Sequence, residues 1–183
     1  MRKVSMLLLA GLVFISCNSK DGESAIVKEA SKEAPATPQA EISDPKFTEM
    51  GKVNLRHFEA GRMDEWANQF ADNAVYAWSG GDSLVGKQAI LDWWKKRRTE
   101  VIEKISFTND IWIPIKVNVP QKGPDMAGNW LLSWYQVDVS YKNSGKPLSF
   151  WVHTDFHFND QNKVDRAVQY IDMAPIKEAT GAK

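Results

Sequence analysis

The segment ISFTNDIWIPIKVNV, residues 105–119, constrains the fold more than any other part of the chain. Apolar side chains stand at every second position on both sides of Asn109, which interrupts the series, and this spacing is the clearest β-strand signal in the sequence. The alternating residues are Ile105, Phe107, Ile111, Ile113, Ile115 and Val117. Because side chains alternate between the two faces of a strand, the pattern predicts a sheet with one apolar face.

Helical spacing precedes this strand, and further strands follow it. The first helix begins after Asp44 and Pro45, carries an apolar stripe and ends at Gly61. Its stripe positions are Phe47, Met50, Asn54, His57 and Phe58. A short helix (62–70), a strand (74–78) and a third helix (87–101) come next. After the long strand, segments 129–141, 147–158 and 164–172 read as strands of an antiparallel meander. Helices followed by such a meander predict an α+β fold.

Composition supports one folded domain and argues against nucleic acid as a partner. The 183 residues are 43% hydrophobic with eight tryptophans, which is enough apolar material for a core. The formal net charge is zero, and no basic tail or ladder of basic and aromatic residues is present.

The N-terminal residues resemble the signal peptide of a bacterial lipoprotein. Arg2 and Lys3 precede a short apolar run that is too short to span a bilayer, and Ser16-Cys17 follows it. Cys17 is the single cysteine, so lipid attachment there would explain why an exported chain keeps one unpaired thiol. A plain secretory signal is the alternative.

The chain is therefore expected to have four parts. Residues 1–17 are the signal peptide with the lipidated cysteine, 18–44 a flexible linker, 45–175 the folded domain and 176–183 a tail. We expect a lipid anchor in the cell envelope, at the outer membrane or cell surface rather than the inner membrane.

Three segments carry a resemblance to a known family. They are EAGRMDEWANQFADNAVYAW (59–78), GKQAILDWW (86–94) and DFHFNDQNKVDRAVQYI (155–171). The arrangement resembles the SnoaL-like branch of the nuclear transport factor 2-like superfamily. This resemblance implies a cone-shaped, strongly curved antiparallel sheet wrapped around three helices, with an apolar pocket inside and commonly a dimer through the outer face of the sheet.

The steroid isomerases of that superfamily provide a test of catalysis. Counting without gaps, their tyrosine, base and second acid fall on Asn54, Trp78 and Thr154. None of the three retains the family's chemistry, and tryptophan cannot abstract a proton, so isomerisation of that type is disfavoured. We instead expect Asn54, Trp78, Thr154, Phe156 and Trp134 to bind a ligand. The alternative is that the polar groups of Asn54 and Thr154 bond each other or a buried water.

The histidines are weaker candidates. His153, Asp155 and His157 alternate along one strand, and the two histidines are about 13 Å apart at about 3.3 Å per residue, too far to share an ion. They are expected on the outer face, opposite Val152, Thr154, Phe156 and Phe158. His57 is a weak candidate for a general base. No metal site and no cofactor are expected.

The basic run from Lys95 to Arg98 is expected to complement the dipole of the third helix, with anionic head groups as the alternative partner. Three functions remain open at this point. The first is binding of a small apolar or amphipathic ligand in the cone; the second is a SnoaL-like lyase, isomerase or hydrolase; the third is assembly as a dimer through the outer face. The sequence does not decide whether any reaction is catalysed.

Overall fold

The computed structural model describes residues 36–121, 126–142, 144 and 147–181. The signal peptide, Cys17 and most of the predicted linker lie outside the described residues. Among the described residues, no helix combines the length and the apolar character that crossing a membrane requires.

Seven strands form one curved, open sheet. They are β1 (Ala40–Ile42), β2 (Phe70–Trp78), β3 (Ser83–Val85), β4 (Ile102–Val117), β5 (Gly128–Tyr141), β6 (Leu148–Phe158) and β7 (Val164–Tyr170). Their order across the sheet is β1-β4-β5-β6-β7-β2-β3. The predicted α+β fold is confirmed. One pair departs from the expected antiparallel arrangement, because β2 and β7 run parallel.

In the described part of the chain, four helices accompany the sheet, where three had been predicted. They are α1 (Lys46–Glu59), α2 (Met63–Ala67), α3 (Lys87–Lys96) and α4 (Ala174–Thr180), and a π-helical turn, Arg97–Val101, continues α3. The carboxylate of Asp44 accepts the backbone N–H of Lys46 at 2.8 Å, which satisfies one unpaired amide at the start of α1. Gly51 lets α1 approach the sheet closely, because a Cβ there would lie 2.5 Å from Leu131 Cδ2.

A bulge in β4 divides the predicted alternation into two halves that face opposite ways. Asn109 adopts a positive φ of 52°, and the register with β5 shifts between Thr108 and Ile111. An extra residue in a strand moves every later side chain to the other face. Ile105 and Phe107 therefore pack inward, whereas Ile111 is 52% exposed on the outer face. The bulge therefore lies at Asn109, the residue that interrupts the alternation in the sequence.

Strand β6 follows its predicted alternation. Val152, Thr154, Phe156 and Phe158 are buried on the inner face, and the outer face carries His153 and its neighbours. The ends of the domain extend past the predicted limits. Ala40–Ile42, placed in the linker, pairs with β4, and the segment placed in the tail begins inside α4, where Ile176 is buried.

Candidate ligand-binding cavity

A cavity of about 610 Å³ lies between the inner face of the sheet and the helices. Pockets of about 300–1,000 Å³ hold most small ligands of drug size. The lining is mainly apolar and aromatic, and its aromatic members include Phe58, Trp66, Tyr76, Trp78, Trp94 and Tyr135.

The tryptophans form a wall of this cavity and leave its interior open. Trp93 packs edge-on against Trp94 with ring centroids 4.6 Å apart, and Trp78 lies 4.9 Å from Trp93. Tyr76 meets Trp94 edge-on at 5.6 Å. Contacts of this kind hold aromatic rings in fixed positions, so the wall is rigid where a planar apolar group would meet it.

A hydrogen-bonded network lies at the inner face of the sheet beside the cavity. Trp78 Nε1 donates to Gln169 Oε1 at 3.1 Å, and Gln169 Nε2 lies 3.5 Å from Thr154 Oγ1. The Tyr135 hydroxyl is 2.9 Å from the same Thr154 oxygen. Strands β5, β6 and β7 each contribute one inward side chain, which is why these residues meet. The network holds Tyr135 and Gln169 in place where they line the cavity.

The phenols of the interior are neutral at physiological pH. Burial raises the pKa of Tyr76 well above its usual value, the nearby Tyr135 adds to the increase, and a hydrogen bond with Gln169 opposes it. Burial also raises the pKa of Tyr135, against hydrogen bonds from Thr154 and Gln169. Neutral phenols donate or accept hydrogen bonds, and they are poor bases.

The charged lining groups are Asp82 and Arg97, among the residues that the structure describes. Asp82 is exposed on the turn between β2 and β3, and Arg97 is half-buried where α3 gives way to the π-helical turn. Trp94, another lining residue, has a buried Nε1 with no acceptor among the described residues. The described lining therefore offers two charged groups and one unused hydrogen-bond donor.

Three of the five predicted ligand-binding residues line the cavity: Asn54, Trp78 and Phe156. Asn54 Oδ1 accepts the Trp66 indole N–H at 2.9 Å, so this buried oxygen is paired within the protein. Thr154 is fully buried behind the lining, where it bonds to Tyr135.

The fifth, Trp134, lies on the opposite face of the sheet and stacks on His153 with centroids 4.3 Å apart. His57, the weak catalytic candidate, is half-buried and does not line the cavity. Its Nδ1 accepts a hydrogen bond from Arg62 Nε at 3.1 Å.

The outer face holds two histidine–aspartate pairs. His153 Nδ1 lies 2.9 Å from the carbonyl oxygen of Ser133, and its Nε2 lies 3.0 Å from Asp155 Oδ1. His157 meets Asp165 at 2.5 Å and the Ala127 carbonyl at 3.0 Å. A carbonyl oxygen can only accept, so each ring donates on that side. His157 also hydrogen-bonds Asp165, whereas Asp155 Oδ1 has no hydrogen-bond partner among the described residues. Within the described part of the chain, no three His, Cys, Asp or Glu side chains group as metal ligands would.

Sequence reasoning missed Tyr135, Gln169 and Arg97. The first two occupy inward positions of strands whose alternation was recognised, so counting along each strand could have found them. Arg97 stood inside a basic run whose four side chains looked equivalent, and no pattern in the sequence distinguishes it from the other three.

Comparison with known proteins agrees with this geometry. Residues 54–166 match the model of the SnoaL-like domain, and the chain belongs to this family. Comparison with curated proteins yielded no match.

Several solved structures share the fold. A provisionally assigned isomerase from Bacillus subtilis is 20% identical with a TM-score of 0.58, over 74% of this chain and 93% of that one. A provisionally assigned polyketide cyclase from Xanthomonas campestris is 12% identical with a TM-score of 0.58, over 73% and 95%. An LEH-like epoxide hydrolase from M. tuberculosis is 14% identical with a TM-score of 0.51, over 72% and 86%. At these identities the likeness concerns the fold alone.

Proposed function

We propose that this SnoaL-like domain binds a small apolar or amphipathic molecule in its cavity. The observation that carries the proposal is the open volume of about 610 Å³ behind a rigid aromatic wall. A domain that served only for assembly would gain stability by filling that space with its own side chains.

Binding is favoured over catalysis by the ionisable groups of the lining. The described interior offers the neutral phenols of Tyr76 and Tyr135, while the carboxylate of Asp82 lies at the exposed rim. The structural neighbours include a protein provisionally described as a polyketide cyclase and one described as an LEH-like epoxide hydrolase. If the protein converted a bound ligand to product, the enzyme hypothesis would replace the binding proposal.

The test is a thermal-shift screen of the full chain carrying Cys17→Ser, which prevents lipid attachment. We expect progesterone, an anthraquinone and palmitate to raise the midpoint and glucose to leave it unchanged. A ligand at about 100 times its Kd stabilises the folded state by about 2.7 kcal/mol, which a thermal shift detects readily.

A matched pair of substitutions locates the binding. Val139 lines the cavity, so Val139→Trp should fill it and abolish the shift. Val85 is 69% exposed on the edge strand β3 and is not part of the lining, so Val85→Trp should preserve the shift. Equal behaviour of the two variants would place binding outside the cavity and contradict the proposal.

We further propose that Cys17 carries a lipid that holds the domain in the cell envelope, at the outer membrane or the cell surface rather than the inner membrane. The support is the sequence resemblance to a lipoprotein signal. Labelling growing cells with a radioactive fatty acid should mark the wild-type chain and leave Cys17→Ser unmarked. Label on both chains would exclude Cys17 as the attachment site.

A second copy of the chain is the partner we propose for the outer face. Ile111 is 52% exposed there, and Trp151 and Tyr170 are 53% and 44% exposed on the same face. Light scattering should show a dimer that Ile111→Glu converts to a monomer and that Val85→Glu leaves intact. If light scattering showed that wild type is a monomer, the proposed dimer would be wrong.

A further inference from the structure

Arg97 is the member of the basic run that reaches the cavity. Lys95 pairs with Asp64 at 3.1 Å, and Arg98 donates to the carbonyl oxygens of Phe58 and Glu59 at the end of α1. Arg97 begins the π-helical turn and is part of the lining. Such turns are rare and recur at functional sites, since they redirect side chains that a regular helix would place elsewhere.

The guanidinium of Arg97 is held by aromatic rings and has no anionic partner among the described residues. Its central carbon lies 5.5 Å from the centroid of the Trp93 ring and 6.0 Å from that of Tyr141. No carboxylate of the described residues lies within 4.0 Å of the Arg97 guanidinium. The ion pairs that these residues form do not include Arg97. Stacking on aromatic rings occupies the faces of a guanidinium and leaves the N–H groups at its edge available.

Two more donors line the same cavity. Trp94 Nε1 is buried without an acceptor in the described part of the chain, which is costly unless a ligand supplies one. Tyr141 is buried, and burial raises the pKa of its hydroxyl, while the charge of Arg97 and a hydrogen bond that the hydroxyl accepts from Arg97 oppose the increase. The hydroxyl therefore keeps its proton at neutral pH and can donate it in a hydrogen bond.

From these contacts we propose that Arg97 binds the carboxylate of the ligand, and that the cavity takes amphipathic monocarboxylic acids whose apolar body lies against the aromatic wall. The planar guanidinium matches a carboxylate through two parallel hydrogen bonds, and a neutral lining beyond it suits an uncharged body. This inference rests on the proposed function and adds the ligand's chemical class to it.

Asp82 carries the opposite charge to Arg97 and allows the inference to be tested. It also lines the cavity, on the turn after β2, and would repel an acid or attract a cation. If the ligands were amines, Asp82→Asn would weaken binding and Arg97→Gln would strengthen it. For acids, we expect the opposite effects of the two substitutions. Lys96 is exposed, follows Lys95 in the same run and does not line the cavity, so Lys96→Gln is the control for loss of one positive charge.

The experiment measures the Kd of 1-pyrenebutyrate and of its neutral counterpart 1-pyrenebutanol by fluorescence titration of the full chain carrying Cys17→Ser. We expect the acid to bind at least tenfold more tightly than the alcohol, about 1.4 kcal/mol. Arg97→Gln should remove that difference and leave the alcohol's Kd unchanged, and Arg97→Lys should retain part of it. Lys96→Gln should change neither, and Asp82→Asn should leave acid binding equal or tighter.

The outcomes separate the two proposals. Equal affinities for acid and alcohol, or equal losses in Arg97→Gln and Lys96→Gln, would overturn the role of Arg97 while leaving the cavity as a binding site. Failure of both probes to bind wild type would overturn the cavity proposal as well. A melting midpoint for each variant shows that it is folded, and Arg97→Lys replaces Arg97→Gln if the latter is not.

Discussion

The two faces of the sheet are built from alternate residues of the same strands, yet the polar groups on them lie in different surroundings. On the inner face, Thr154, Tyr135 and Gln169 bond to one another, and burial keeps the phenols neutral. On the outer face, His153 Nε2 lies 3.0 Å from Asp155 Oδ1. Neighbours in sequence thus experience different environments because the helices cover one face only, and access of water decides which groups can carry charge.

Leu131 and Leu132 are the sharpest test of this difference, because the same substitution is made on both faces. Leu131 is fully buried on the inner face beneath α1, and Leu132 is half-buried on the outer face. We expect Leu131→Ala to lower the free energy of unfolding by about 2–5 kcal/mol, since it leaves a cavity in the core. Leu132→Ala should cost less than half as much. Urea denaturation measures both, and equal losses would mean that the outer face is covered as completely as the inner one.

Thr154 and Thr108 allow the same comparison of the two faces for a polar side chain. Thr154→Val removes the buried oxygen that Tyr135 and Gln169 contact, and leaving those groups unpaired should cost about 1–3 kcal/mol. Thr108 bonds to Asp138 at 3.2 Å on the exposed outer side, so Thr108→Val should cost about 0.5 kcal/mol or less. The same denaturation experiment compares them. A loss in Thr154→Val no greater than in Thr108→Val would show that water replaces the missing hydroxyl.

The smallest expected effect is a pH dependence that belongs to the outer face. Burial raises the pKa of Asp155, and the neighbouring His153 opposes the increase. The folded state then holds this proton up to a higher pH than the unfolded chain does, so stability falls as pH rises from the ordinary aspartate pKa through the raised one. Asp155→Asn cannot ionise, and its stability should fall less over that range.

Unfolding of wild type and Asp155→Asn at a series of pH values between about 4 and 7 measures the difference. Parallel curves would mean that the pKa of Asp155 is the same in the folded and unfolded states. Asp138→Asn, on the same face and bonded to Thr108, serves as the control for the loss of one carboxylate.

Much of the fold was predictable because its signals are local. The alternation in β6 correctly placed Val152, Thr154, Phe156 and Phe158 inside and His153 outside, since a strand's period of two requires no knowledge of distant residues. The helix that begins after Asp44 and Pro45 was recognised from its end signals, and Asn54 on its stripe does face the cavity. The SnoaL-like family was recognised from the same local segments and is confirmed.

The candidate site was predictable only in part. Trp78 was proposed by counting along the family resemblance and Phe156 from the alternation of β6, and both line the cavity. Trp134 was included for its aromatic ring alone, but its position in β5 points it to the outer face, where it stacks on His153. Residue type without register was therefore insufficient, because a shift of one position along a strand exchanges the faces.

Local patterns were enough to predict the first three helices, most strands and the faces of β6, because periodicity and end signals act over a few residues. Three features came from the packing of the whole chain: β2 runs parallel to β7, the bulge at Asn109 exposes Ile111, and Arg97 alone of its basic run reaches the cavity. Each of these depends on contacts between residues far apart in the chain. Such contacts form because the whole core packs at once, and no local pattern records which distant partner a side chain will meet.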